Sequence, residues 1–289
     1  TRDTSAIVAT HILGNPMDVQ ALRDRIGDPR IKIIEDCAHA VGTLVRDRHV
    51  GSGGDASFFS FSATKPFHTF NGGAYWLRDW SRDDERAPEA NASSGRAVLA
   101  KDVATNALFA LLTQRLPFAA SLHPLLCAAE AGGVDPLRLF KGKVDPFFDL
   151  KRDARSFSNF QGFVACRMLE DYTQSLGPLA HRAQLLSALL DPSLRPARLP
   201  SWAKPNHYFF VVLSERLRRS RRWLLARGLD TGIHVMRHLP RQIGAEGAFP
   251  GLDAVYDAGV QIPIHGGVSI QDVERVAELV NAGALRGVA

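Results

Sequence analysis

Between positions 36 and 65 the chain carries an acid, a flat ring, a hydroxyl and a lysine: Asp36, His39, Ser60 and Lys65. Each type suits one task. A lysine amine can form a Schiff base with an aldehyde. A buried carboxylate beside a ring nitrogen keeps that nitrogen protonated. A hydroxyl, with backbone donors, can hold a phosphate, and a flat side chain can pack on a ring face. Pyridoxal phosphate makes all four demands at once. Taken singly, each residue also has a plain reading. Asp36 could cap a turn, His39 could be a packed or surface histidine, Ser60 a small strand residue and Lys65 a solvated lysine.

The four can converge only if the surrounding elements bring them together. Ala6 to Thr10 reads as a buried strand. Asn15 is expected to cap a helix with Pro16 at its first position; Val19, Leu22 and Ile26 form the apolar stripe and Gly27 ends it. Lys32 to Asp36, Ala56 to Ser62 and Ala74 to Leu77 read as further strands bounded by glycines. Strands and a helix in this order make an open α/β sheet, in which ligands bind at strand carboxyl ends.

The segment from Ile34 to Gly73 resembles the sugar aminotransferases of the DegT/DnrJ/EryC1/StrS family. The matching parts are Ile34-Glu35-Asp36-Cys37-Ala38-His39-Ala40, Gly54-Asp55, Phe59-Ser60-Phe61, Lys65 and Gly72-Gly73, in the family's order and spacing. Thr10 to Pro16, Ser158 to Gln161, Asn206 to Phe209, Gly232 to His234 and Ile262 to His265 are similar to further family segments, as is Asp272 to Val276 after them. The resemblance implies a PLP-dependent transferase fold of type I (α/β), with an incomplete large-domain sheet and a smaller C-terminal α+β domain. It implies pyridoxal 5'-phosphate held on Lys65, with Asp36 at the ring nitrogen, His39 on the ring and Ser60 at the phosphate. Lys65 would then move a proton as base and acid. An amino acid, glutamate by expectation, would donate the amino group to a nucleotide-linked keto sugar. His234 and Arg237 are the candidate sugar or phosphate contacts, and no metal is implied. The family also suggests polysaccharide biosynthesis and a cytoplasmic homodimer.

Some positions depart from the family pattern. Ala154 stands where an asparagine reaching the neighbouring subunit is usual, Asn71 precedes the glycine pair, and Met236-Arg237 replaces a proline pair. Dehydratase relatives carry histidine at the lysine position, so Lys65 favours transamination. About the first third of a family member precedes the point where this chain opens, so the resemblance implies an N-terminally truncated chain. Two alternatives remain: a non-catalytic fold-type I remnant acting as an interaction module, and a PLP-dependent sugar dehydratase or non-sugar transaminase.

The remainder of the chain bounds these readings. With 289 residues and 45% hydrophobic composition it can bury a sizeable core. Cys37, Cys127 and Cys166 show no metal spacing and suit a reducing compartment. The net charge of +5 is mild. Arg216, Arg218, Arg219, Arg221, Arg222 and Arg227 are expected on the solvated face of a helix whose apolar positions are Leu217, Leu224 and Leu225, not on a nucleic-acid surface. The stretch from Val103 to Ala129 has one charge, Arg115, and many leucines, interrupted by Pro117 and Pro124. It reads as a buried helical hairpin or subunit contact, with a membrane-surface segment as the alternative. Four parts are expected: 1–80 with the PLP lysine, 81–150 as an apolar helical insertion, 151–190 as a long connecting helix and 191–289 as the small domain. Ser269 and Asp272 should box the last helix, with Asn281 or Gly283 closing it.

Overall fold

The computed structural model describes residues 3–62, 65–79, 96–134, 157–196, 199–233, 238–245 and 247–286, the side chains of 96–98 aside. The chain forms two compact units. The first comprises Thr1–Phe118, Phe140–Leu176 and Pro200–Tyr208; the second comprises Ala119–Leu139, Gly177–Leu199 and Phe209–Ala289.

The first unit is built on a four-stranded sheet. Strands β1 (Ala6–Thr10), β2 (Lys32–Asp36) and β5 (Ala56–Ser60) run parallel, and β6 (Gly73–Leu77) pairs antiparallel with β5, giving the order β1-β2-β5-β6. Helix α1 (Val19–Ile26) crosses over between β1 and β2. Its Val19, Leu22 and Ile26 pack on Ala9 and Ile33, so one sheet face is covered. The other face carries Val8, Phe58, Tyr75 and Leu77, all exposed, with Val8 at 56% and Tyr75 at 53%. A small sheet joins β3 (Leu44–Val45), β4 (Arg48–His49) and β7 (Ala203–Lys204) in the order β4-β3-β7.

Helix α1 begins later than the sequence suggests. Asn15 is extended and its N–H closes a tight turn onto Ile12. Asp18 is the cap instead, its carboxylate accepting from the Ala21 N–H at 3.0 Å. Gly27 ends the helix in the left-handed conformation, as expected.

Helices α2 (Arg96–Leu112) and α3 (His123–Ala131) form in the apolar stretch, but they are not a buried hairpin within this chain: Leu108, Phe109, Leu111, Leu116 and Leu125 are exposed. Among the described residues no helix is long and apolar enough to cross a membrane. Helix α4 (Asn159–Leu189) starts with a reciprocal box: the Gln161 N–H donates to Ser158 Oγ, and Gln161 Oε1 accepts from the Ser158 N–H.

In the second unit β8 (Phe210–Leu213), β10 (Gly259–Ile262) and β9 (Gly232–Ile233) form an antiparallel sheet with β10 central. The arginine-rich stretch splits at Ser220 into α5 (Glu215–Arg219) and α6 (Arg221–Leu225). Leu217, Leu224 and Leu225 are buried as expected, but Arg221 is not on a solvated face. It is buried, paired with Glu130 at 2.7 Å and donating to the Thr231 carbonyl. Short helices α7 (Leu239–Gln242) and α8 (Pro250–Ala258) precede β10. Helix α9 (Ile270–Arg286) has the expected Ser269–Asp272 box. It runs past Asn281 and Gly283, because neither is free to end it. Asn281 donates to the Leu189 carbonyl and accepts from the Asp191 N–H, while Gly283 lies against Leu217 and Leu224.

Candidate functional site at the strand carboxyl ends

Because β1, β2 and β5 are parallel, their carboxyl ends open on one edge of the sheet. Thr10 registers with Asp36, and Asp36 with Phe58. Ser60 lies two residues beyond Phe58, so strand alternation puts it on the same face as Asp36. Main-chain bonds extend the ladders past the strands: His11 N–H to the Asp36 carbonyl at 3.0 Å and Cys37 N–H to Phe58 at 2.9 Å. Asp36 Oδ1 accepts from the Ala38 N–H at 3.0 Å, a local turn that leads the chain directly to His39.

Lys65 sits on the loop between β5 and β6, held by several ties. Its N–H bonds to the Ser62 carbonyl at 2.9 Å, and Phe61 and Gly72 pair at the same distance. Phe61 packs edge-on against Phe67 at 4.8 Å, and Gln161 donates to the Asn71 carbonyl at 3.1 Å. Gly72 has φ near +104°, and a side chain there would press on Phe157. The loop is therefore anchored on the start of α4.

The electrostatics join three of the four residues. Burial lowers the Lys65 amine below the ordinary lysine range, and the Asp36 carboxylate partly opposes this. Burial, and then the Lys65 charge, push His39 down to about 4, again against Asp36. Lys65, Asp36 and His39 thus lie within electrostatic reach of one another, and neither Asp36 nor Lys65 is spent in an ion pair among the described residues. Among the described residues, Ser60 Oγ makes a long contact, 3.4 Å to Ser62 Oγ. His234 and Arg237 lie outside the described residues.

Two groups of supporting residues escaped the sequence reading. Glu35, on the opposite face from Asp36, is fully buried. Its Oε2 accepts from the His11 ring at 2.9 Å and from the Gly51 N–H at 2.8 Å; its Oε1 accepts from Gly53 and Gly54 at 2.8 and 2.6 Å. Burial alone would raise the Glu35 carboxyl, but the His11 ring and these amides more than reverse it, leaving it below the ordinary range. His11 Nδ1 accepts from the Met17 N–H, so Nε2 carries the proton given to Glu35. Cys37 Sγ lies close to both. With both imidazole nitrogens engaged, and with burial raising the Cys37 thiol, the trio is structural and has no open ligand set. Strand alternation alone could have flagged Glu35 as an inward-facing acid.

Asn206 and Tyr172 are the second group. The Tyr172 hydroxyl donates to the Val41 carbonyl at 2.9 Å, and the Asn206 amide donates to both the His39 and Val41 carbonyls, also at 2.9 Å. Both come from more than 130 residues downstream, and no local pattern links them to His39.

Residues 1–94 match the DegT/DnrJ/EryC1/StrS aminotransferase family. That segment is similar to the family over about the first third of the chain. It is similar to GDP-perosamine synthase of Vibrio cholerae, 43% identical over 72 residues, and to dTDP-4-amino-4,6-dideoxy-D-glucose transaminase of Shigella dysenteriae, 47% identical over 74 residues. These matches cover 25% and 26% of the chain and 20% of each relative's length. The fold extends the likeness. The aminotransferase TlmJ from Streptoalloteichus hindustanus superposes with a TM-score of 0.66 at 24% identity, over 99% of this chain and 67% of that one. The chain therefore has the α/β fold of these aminotransferases, beyond the segment where sequence alone is similar.

Proposed function

We propose that this chain carries the lysine-bearing part of a pyridoxal phosphate-dependent aminotransferase that moves an amino group from an amino acid to a nucleotide-linked keto sugar. The observation that carries the reading is the convergence of Lys65, Asp36 and His39 at the carboxyl ends of β2 and β5. The donor set suits the cofactor. Lys65 is a half-buried amine of depressed basicity, Asp36 is a half-buried carboxylate with spare acceptor capacity, and His39 is a neutral imidazole beside both.

When bound, pyridoxal phosphate supplies an electron sink that stabilises negative charge on the carbon bearing the amine. Lys65 holds the cofactor at rest. Once freed, its amine would serve as the base that accepts the proton of the donor's amine-bearing carbon and as the acid that returns it. A depressed pKa serves this role, because a larger share of the amine is neutral and able to accept. Asp36 holds a proton at the ring nitrogen, His39 supports the ring face, and Ser60 donates toward the phosphate. His234 and Arg237 are proposed contacts to the sugar or its phosphates. Glutamate as donor, a homodimeric enzyme and a cytoplasmic setting belong to the same proposal, and the two relatives' names supply the nucleotide-sugar class.

The test is borohydride trapping. Protein mixed with pyridoxal phosphate, reduced and digested should yield one pyridoxyl-labelled peptide, carrying Lys65. Label spread over surface lysines, or none at all, would overturn the proposed site. One observation favours a second reading, a non-catalytic scaffold: the sheet face that carries Asp36 also bears the exposed Val8, Phe58 and Tyr75.

A further inference from the structure

We propose that Asn206 is the positioning residue for His39. It fixes the turn 39–43 so that the imidazole is held beside Lys65 and Asp36. The significance for cofactor binding rests on the reading above; the geometric claim does not.

Asn206 is 3% exposed, and its side chain is fully used. The amide nitrogen donates to the His39 and Val41 carbonyls, each at 2.9 Å, and lies 3.4 Å from the Tyr172 hydroxyl. The amide oxygen accepts from the Tyr208 N–H at 3.0 Å. Its own N–H donates to Thr43 Oγ1 at 3.1 Å, and that hydroxyl donates to the Gly14 carbonyl at 3.0 Å. One amide thus holds two carbonyls at the start of the turn, and one main-chain N–H holds its end. No other proteinogenic side chain of this length offers two donors and an acceptor in one plane.

Two strained or space-limited positions support the placement. His207, next in the chain, adopts φ near +54°, a conformation non-glycine residues seldom take. That bend brings the Tyr208 ring edge-on against His39, with centroids 5.9 Å apart. Gly14, with φ near +82°, lies under the same amide, and a methyl group there would collide with Asn206 Oδ1. A strained residue beside a fully satisfied amide is costly to keep unless the arrangement it enforces matters.

Among the described residues, Lys65 and Asp36 are charged groups that bear on His39; Tyr208, packed against it, stays neutral because burial raises its hydroxyl to about 12. His39 therefore reports its own placement. If Asn206 releases the turn, the imidazole regains water and moves away from Lys65, and its titration must shift upward.

The experiment follows the His39 ring by NMR in histidine-labelled full-length chain without cofactor, its signal identified by His39→Gln. Asn206→Ala and Asn206→Asp should each raise the His39 midpoint by a unit or more from its low value. In parallel, pyridoxal phosphate should bind at least tenfold more weakly while borohydride still labels Lys65. If Asn206→Ala does not fold, Asn206→Ser retains one donor, and a smaller upward shift is expected. A His39 midpoint unchanged in a folded variant, whatever the loss of thermal stability, would reduce Asn206 to a structural tie and overturn the proposal. Absence of Lys65 labelling in the unaltered chain would instead overturn the cofactor reading alone, because the titration needs no cofactor.

Discussion

The two faces of the main sheet treat neighbouring carboxylates in opposite ways. On the face covered by α1, Glu35 is buried and accepts from one imidazole and three glycine amides. On the other face Asp36 is half-buried, accepts from Ala38, and keeps capacity beside Lys65 and His39. An acid whose acceptor positions are filled by its own protein holds structure together. An acid only partly filled among the described residues, near an amine and an imidazole, can still take a further donor. The difference arises from strand alternation: one residue step moves a side chain from a packed face to an open one.

The comparison can be broken by substitution, and the largest effect should fall on chemistry. Lys65→Ala should remove the borohydride label and lower amine transfer by at least the roughly 10²–10⁴-fold that a general acid–base group contributes. Transfer that persists at the original rate would show that the reactive amine is elsewhere. Next, Glu35→Ala should cost about 3 kcal/mol or more, because it leaves one imidazole and three glycine amides without their acceptor at about 1–3 kcal/mol for each one that stays buried and unsatisfied, measured by urea unfolding. Asp36→Ala should cost about 1 kcal/mol, as for a single partly exposed hydrogen bond. Equal losses at the two positions would erase the distinction. Asp36→Asn should sharpen it: stability nearly unchanged, cofactor bound, and turnover lower by on the order of 10²–10³, as when one preorganised electrostatic partner is lost.

Acid should act on both faces. Burial lowers His39, to about 4, and also His68, His207 and His265. Each of these binds a proton more readily in the unfolded chain. Their stabilising effect is complete above the unfolded value of about 6.5 and is lost as pH falls through the folded values. The Glu35 carboxyl, lowered in the fold, adds a second loss at more acidic pH. The thermal midpoint should therefore begin to fall below about pH 6.5, and His39→Gln should remove part of that slope. A flat profile from pH 7 to 5 would contradict buried neutral imidazoles. The smallest effect belongs to the open face. Tyr75→Thr should change stability by no more than about 0.5 kcal/mol, as at an ordinary surface position; a larger loss would mean that something covers this face in solution.

Much of the first unit was legible in the chain itself. The strands from Ala6, Lys32 and Ala56 and the stripe of Val19, Leu22 and Ile26 follow from periodicity, because a short βαβ unit is specified by local pattern. The nearness of Asp36, His39 and Lys65 was legible because all lie on one continuous stretch. The first helix cap was misplaced by three residues, since Asn15, Pro16 and Asp18 all carry start signals and only the Asp18 bond to Ala21 settles which acts. Arg221 looked like its solvated neighbours, and its pairing with Glu130 spans a separation of 91 residues. Gly283 looked like a helix terminator, yet the helix needs it where α9 passes close to Leu217 and Leu224.

The sequence by itself determined the main strands of the first unit, its open α/β class and the placing of Asp36, His39, Ser60 and Lys65 on one short stretch, because these rest on side-chain period and near neighbours. Only the tertiary structure decided which of two adjacent acids is spent on architecture, that a stretch rich in leucine leaves Leu108, Leu111, Leu116 and Leu125 exposed, and that an asparagine 167 residues beyond His39 bonds to its carbonyl. Those outcomes depend on donors and surfaces brought together by chain closure, and hydrogen-bond satisfaction between distant segments leaves no periodic trace in the residues that provide it.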